Sequence, residues 1–310
     1  MQTHYPPSQA MRDLTHARAG SRRPRAALVL ALDHLRRRAA LRRQGAAPEP
    51  RLAYLLRSLA AFRRQTAWLD LVGRSRTLRA AAALNPQVYE RWQRHYISRD
   101  FDLATCARLV EAHYRFIARE FPERLRERLV RGHDVRLATL PLGDGNVAYL
   151  HARAPEDDAT GELGLFLLND GKEVISSCTI TFGGVEGLLI GAMRGSWAYL
   201  GREAIGRFTR ATGGLRPRDL LLALIRSLAV HYGIERVRGV SRQAHPLGRR
   251  DGVTLAAYDR FWRRHGGVPG ADGCHDIPLR EPAAVGETRA AFSQDACAAA
   301  LQAFTRAGAA

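Results

Sequence analysis

The sequence predicts an α+β protein, in which an N-terminal helical region precedes a mixed β-sheet with covering helices. Three observations carry that expectation. From residue 26 to about 120, apolar side chains recur every three or four positions, the period of a helix with one buried face. At Asp134 the pattern changes to short β-prone runs separated by turn residues. Beyond residue 200, an apolar helix alternates with short strands, an order that lays helices on a sheet.

In chain order, residues 1–25 are polar, carry Pro6 and Pro7, and read as a disordered lead. A basic helical region follows over 26–132. Leu28, Leu32, Leu35 and Leu41 share one face of a helix over 26–44, and Leu55, Leu59, Phe62 and Leu69 mark another over 52–71. Residues 87–98 and 103–120 also read as helices, the second with Asp102 as its cap. The domain expected over 133–285 opens with an antiparallel meander: 135–140, 146–151, 161–168, 173–182 and 187–193. Asp144-Gly145 and Asn169-Asp170-Gly171 supply its turns. A helix over 203–212 ends at Gly213-Gly214. Pro217 then occupies a first turn, where its missing N–H costs nothing, and opens a helix to Tyr232 that is apolar on most sides. A strand over 236–240, an aromatic helix over 256–265 and a last strand over 276–279 follow. Residues 286–310 read as a C-terminal helical tail with few packing cues.

Composition narrows the function classes. The 310 residues carry a formal charge of +18, and Lys172 is the single lysine beside 47 arginines. The first 100 residues hold 20 basic and 6 acidic side chains. Such a surplus holds phosphate, whether in nucleic acid or anionic lipid, and it equally follows from a GC-rich coding sequence. Aromatic residues do not interleave with the arginines as single-strand binding would require, so nucleic acid is the weaker partner class. Cys106, Cys178, Cys274 and Cys297 are too widely spaced for a zinc pairing, which leaves no metal site in view and suits buried thiols in a cytoplasmic protein. No apolar run reaches the ~18–20 residues of a bilayer span. The sequence contains no Walker A, H-E-x-x-H or G-x-S-x-G motif, so it gives no support to ATP hydrolysis, zinc proteolysis or serine hydrolysis.

The order strand (GLLIGAMRG), long helix (RPRDLLLALIRSLAVHYG), strand (RVRGVS) and short Tyr-bearing helix (YDRFWRRHGG) is that of an acetyltransferase-like (GNAT-like) fold. In such enzymes the turn before the long helix meets a coenzyme A pyrophosphate, and a late Tyr stands near the thiol. Here Gly213, Gly214, Arg216 and Arg218 match that turn in part.

These same stretches, with TFGGVEGLLIGAMRGSW, a His-Pro pair, a final DIPLRE and the earlier His113-Tyr114, resemble the VirK/YbjX family over roughly residues 80–285. One departure is visible. Where the family pattern reads Gly-x-x-Gln-Gly, this chain has Gly191-Ala192-Met193-Arg194-Gly195, a fixed cation in place of a neutral amide. The resemblance implies a bacterial accessory protein that acts by binding an unknown protein or envelope component. The traits it brings are envelope integrity, stress response, virulence and resistance to cationic antimicrobial peptides. It implies no catalytic residue and no cofactor.

The candidate residues follow from position. Glu186 starts a strand between glycines and is a possible general base. Ser241, Arg242 and His245 sit at the carboxyl end of a strand, where α/β-type sheets bind ligands. Tyr258 shares a helical face with Phe261 and Trp262 and keeps a hydroxyl able to protonate a thiolate. Arg194, Arg216 and Arg218 flank the turns around the long helix and could clamp a phosphate. The first expectation is therefore a binding protein. The alternatives are an acyltransferase using coenzyme A or acyl-CoA, and a nucleic-acid binder through its arginine-rich start.

Overall fold

A computed structural model of the chain describes residues 51–196, 200–248, 258–280 and 287–305, together with Leu32 and Leu35. The lead over 1–25 lies outside these residues, as does the helix expected over 26–44 apart from those two leucines, which are helical.

The helical region holds α1 (Arg51–Ala60), α2 (Phe62–Arg74), α3 (Arg76–Leu84), α4 (Leu103–Glu120) and α5 (Glu123–Val130). The single helix expected over 52–71 is interrupted at Ala61, whose φ of −111° and ψ of 33° leave the helical region. Ser75 caps α3 by accepting the Leu78 N–H. Asp102 caps α4 by accepting the Thr105 N–H at 2.7 Å.

The expectation of a helix over 87–98 is corrected. Pro86–Tyr89 and Arg91–Gln93 form two short 3₁₀ turns instead. The physical reason is burial on every side. The six residues from Val88 to Gln93 are all buried, whereas a surface helix turns part of each turn to solvent. The segment ends at Ile97 with φ of 63°, an uncommon setting for a β-branched residue, held by its N–H on the Ala159 carbonyl at 2.8 Å.

The sheet contains β1 (Val135–Pro141), β2 (Val147–Arg153), β3 (Leu163–Leu168), β4 (Val174–Phe182), β5 (Leu188–Arg194), β6 (Val237–Val240), β7 (Val268–Pro269) and β8 (Cys274–Ile277). Its spatial order is β1-β2-β3-β4-β5-β6-β8-β7. The first five strands form the expected antiparallel meander, β5 and β6 run parallel, and β6-β8-β7 is antiparallel again. Every residue of β3 and β4 is buried, so both faces of the middle of the sheet are covered.

Helices α6 (Gly201–Ala211) and α7 (Pro217–His231) link β5 to β6. Tyr258–Arg264 forms α8, and Glu287–Leu301 forms α9. Among the residues of α7, Leu220, Leu221, Leu222, Leu224, Ile225 and Leu228 are all fully buried, as its apolar pattern required. The tail helix α9 packs on α7 and β1, burying Ala296, Cys297 and Ala300. All four cysteines are buried and none forms a disulfide. One apolar core runs from Trp68 to Phe304, and residues on both sides of position 132 share it.

A buried polar joint ties the helical region to the sheet. Glu162, just before β3, receives the Arg91 guanidinium and the hydroxyls of Tyr96 and Tyr114, each hydroxyl at 2.8 Å. Arg91 also reaches Asp158 at 2.7 Å. Burial works against the ionised Glu162, yet the Arg91 charge, His113 and the hydrogen bonds from Arg91 and Tyr114 together outweigh it and hold the carboxyl below its ordinary range.

Candidate functional site

The site grows from the place where the two parallel strands part. Strand β5 pairs with β6 through Leu188↔Val237, Leu189↔Arg238 and Ile190↔Gly239, and then runs on to Arg194. Against β4, Ile190 faces Ile180 and Ala192 faces Thr179, so Gly191 is an extra residue, a β-bulge. A Cβ at Gly191 would overlap the backbone carbonyl of Thr160. Gly191→Ala should therefore cost about 1–3 kcal/mol by forced overpacking. A denaturant titration showing an unchanged midpoint would mean that the 158–160 turn yields freely.

The gap beside β5 is filled by two side chains. The Tyr258 hydroxyl, from the start of α8, accepts the Met193 N–H at 2.9 Å. His245, from the loop after β6, meets the Tyr258 ring edge-on with centroids 5.4 Å apart. Its Nδ1 accepts the Leu247 N–H at 3.3 Å, which puts the ring proton on Nε2. Nε2 has no partner in good hydrogen-bond geometry, although the nearby Gly191 carbonyl favours protonation slightly. Burial dominates, with Arg194 and Arg99 adding to it, and the His245 pKa falls to about 4. Tyr258 is pushed up, chiefly by burial. At neutral pH both groups are uncharged.

A cavity of about 690 Å³ opens at the carboxyl end of β5, bounded by Gly195, Ile205, the start of α7 and α8. Arg216, Arg218, Arg260 and Arg264 line it, with Asp219 as the one carboxylate among its lining residues. Asp219 is already engaged by Arg264 at 2.7 Å, His265 at 3.1 Å and Arg289 at 3.5 Å. Arg216, Arg218 and Arg260 have no ion-pair partner among the described residues. Burial pushes the Arg218 guanidinium below its ordinary value.

The backbone contributes little here. Pro217 has no N–H, and the N–H groups of Asp219 and Leu220 both turn back to the Arg216 carbonyl. Any anion in this cavity is held mainly by side-chain charge.

The structure thus gathers Arg194, Arg218, His245 and Tyr258 around the parting strands and sets Arg216 on the cavity wall. Arg194 is not free to clamp a phosphate, because it pairs with Glu156 at 2.8 Å. Ser241 and Arg242 shape the neighbouring turn. The Ser241 hydroxyl accepts the Ala244 N–H, and the Arg242 N–H donates to Asp259. Glu186 stands apart, in the 3₁₀ turn Gly184–Glu186 before β5, at the strand end opposite Met193. Its carboxylate binds the guanidinium of Arg238 at 2.9 Å, and Arg238 is also held by Asp272. That places Glu186 as counter-ion to a buried cation. Sequence reasoning missed Arg260 and Arg264, although their spacing of four within YDRFWRRH was a readable signal for one helical face.

Comparison with known proteins gives two matches. A family model described as "Protein of unknown function (DUF535)" matches residues 45–286. The "Uncharacterized protein YbjX" of Escherichia coli (strain K12) is 23% identical over 239 residues, covering 74% of this chain and 72% of the relative. No solved structure matches.

Proposed function

This chain belongs to the DUF535 family, that of VirK and YbjX, and from that premise we propose that it binds a phosphate-bearing ligand of the acyl-coenzyme A class. The observation that carries the reading is the arginine-lined cavity at the start of α7, with three guanidinium groups lacking a carboxylate partner among the described residues. The acetyltransferase-like reading of the sheet draws support from the parallel β5–β6 pair, the helical crossover between them and the cavity at the carboxyl end of β5. In this reading Arg216, Arg218 and Arg260 hold phosphate, and Phe261 and Ile205 give the cavity an apolar side for an acyl chain.

Binding is favoured over transfer by the state of the neighbouring groups. Asp219 is spent in ion pairs, His245 is buried and neutral, and the Tyr258 oxygen is occupied by the Met193 N–H. Acyl transfer is the second reading, and in it Tyr258 serves as proton donor to the departing thiolate. At the level of the cell we read the protein as a cytoplasmic accessory factor in envelope integrity or stress response, the association that the family resemblance carries. Buried cysteines without a disulfide support a reducing compartment. Among the described residues, no helix is long and apolar enough to cross a membrane.

A thermal-shift series tests the binding reading. Coenzyme A, acetyl-CoA or a long-chain acyl-CoA at about 100 times its Kd should stabilise the chain by roughly 2.7 kcal/mol. The pair Arg216→Ala and Arg218→Ala should abolish that shift, while Arg242→Ala should keep it. Failure of every CoA species to shift the melting transition, or a shift indifferent to the arginine pair, would overturn the proposal. If DNA binds instead, with an affinity that falls steeply as salt rises, the arginine-rich start becomes the leading site.

A further inference from the structure

Helices α1 and α2 have two apolar faces, and the core uses only one. Tyr54, Trp68, Leu69 and Val72 are buried, and Gln65 locks the pair by donating to the Tyr54 hydroxyl at 3.2 Å. On the outer side, Leu56 is 57% exposed, Leu59 67% and Phe62 59%. These three stand three residues apart across the break at Ala61, so they form one ridge at the elbow between the helices.

Along the sequence, the charge of this stretch is of one sign, although one of its arginines, Arg57, is paired with Glu90 at 3.5 Å. From Arg51 to Leu69 there are four arginines and no carboxylate, and residues 1–64 hold fourteen arginines against three acidic groups. Arg63 and Arg64 are exposed beside Phe62, and Arg63 has no ion-pair partner among the described residues. A raised apolar ridge with arginines at its base matches the boundary of an anionic bilayer. The Leu and Phe side chains enter the acyl region while the guanidinium groups remain at headgroup phosphates.

We infer that the α1–α2 elbow docks this protein on an anionic lipid surface, with Leu56, Leu59 and Phe62 inserted and Arg63 at the headgroups. The surface is separate from the arginine cavity, and the inference does not depend on what that cavity holds.

Flotation of the full chain with vesicles tests it. The protein should float with vesicles of phosphatidylglycerol and phosphatidylcholine in equal parts at roughly 50 mM salt. It should float far less with pure phosphatidylcholine or at roughly 500 mM salt. The triple variant Leu56→Ser, Leu59→Ser, Phe62→Ser should partition at least about tenfold more weakly, because the apolar insertion is lost. Its melting transition should not fall, since these side chains lie outside the core. In Phe62→Trp, the added emission should shift to the blue on anionic vesicles and be quenched by lipids brominated on their acyl chains. Three results would overturn the inference. These are a wild-type chain that does not float at low salt, a triple variant that floats as well as the wild type, and a ridge whose loss dissociates a dimer without changing vesicle binding.

Discussion

Replacing Arg91 with Ala should destabilise the fold by about 3–5 kcal/mol, because it leaves the Glu162 carboxylate buried with no counter-charge. The side chains of Arg91 and Glu162 are 5% and 1% exposed, so water cannot take over either role. The hydroxyls of Tyr96 and Tyr114 also converge on this carboxylate, and they come from the helical region while Glu162 immediately precedes β3. The joint therefore couples packing of the helices to formation of the sheet. A double-mutant cycle isolates the pair. Arg91→Ala with Glu162→Ala should cost less than the sum of the single changes by about 2 kcal/mol, since the unpaired charge disappears with its partner. Strict additivity in denaturant midpoints at constant m would show that the two residues do not interact. In Arg91→Ala alone, burial of Glu162 loses the main group that opposes it and the pKa rises. A carboxyl whose folded pKa lies above the unfolded one destabilises only where it must ionise. The deficit relative to wild type should therefore shrink as pH falls toward about 4.3, the ordinary Glu value.

What could be read from the chain divides along a physical line. The meander over 135–194 and helix α7 were legible because period, turn residues and a proline at the first helical position are local signals. Asp102 was legible as a cap for the same reason. The segment 86–98 was not, because its conformation answers to contacts made from all sides by residues far along the chain. Strand β8 begins two residues before the predicted position, and β7, two residues long, carries no period at all. In the site, His245 stood out because it follows a strand, and Tyr258 because it shares a helical face with Phe261 and Trp262 and carries a hydroxyl. The role of Glu186 was hidden, since its partner Arg238 lies 52 residues away. The bulge at Gly191 was equally hidden, because what forbids a side chain there is the carbonyl of Thr160, on a different loop.

Between pH 7 and about 4.5 the protein should lose roughly 4–6 kcal/mol of stability, and two histidines account for it. His113 is 3% exposed and His245 0% exposed, and burial pushes each pKa down to about 4. The unfolded chain titrates these groups near 6.5. Because the folded pKa is the lower one, the unfolded state binds more protons between about 6.5 and 4, and stability falls as pH falls through that window. Above it both states are neutral, and below it both are protonated, so the slope vanishes at either side. One pKa unit is worth about 1.4 kcal/mol, which gives each histidine about 2–3 kcal/mol by pH 4.5. His275 is shifted in the same direction by burial and adds to the slope. Glu162 and Asp219 behave oppositely in position, because their folded pKa values are lowered from the carboxylate range. Their contribution is lost only below about 4, outside this window. Denaturant titrations at several pH values should therefore show a steep early fall, and either His113→Gln or His245→Gln should remove close to half of it. His113 accepts the Phe182 N–H and His245 the Leu247 N–H, bonds that a Gln side-chain oxygen can also accept. A midpoint that stays level from pH 7 to 4.5 would show that these imidazoles are reached by water in the folded protein, and the tight filling of the gap beside β5 would be wrong.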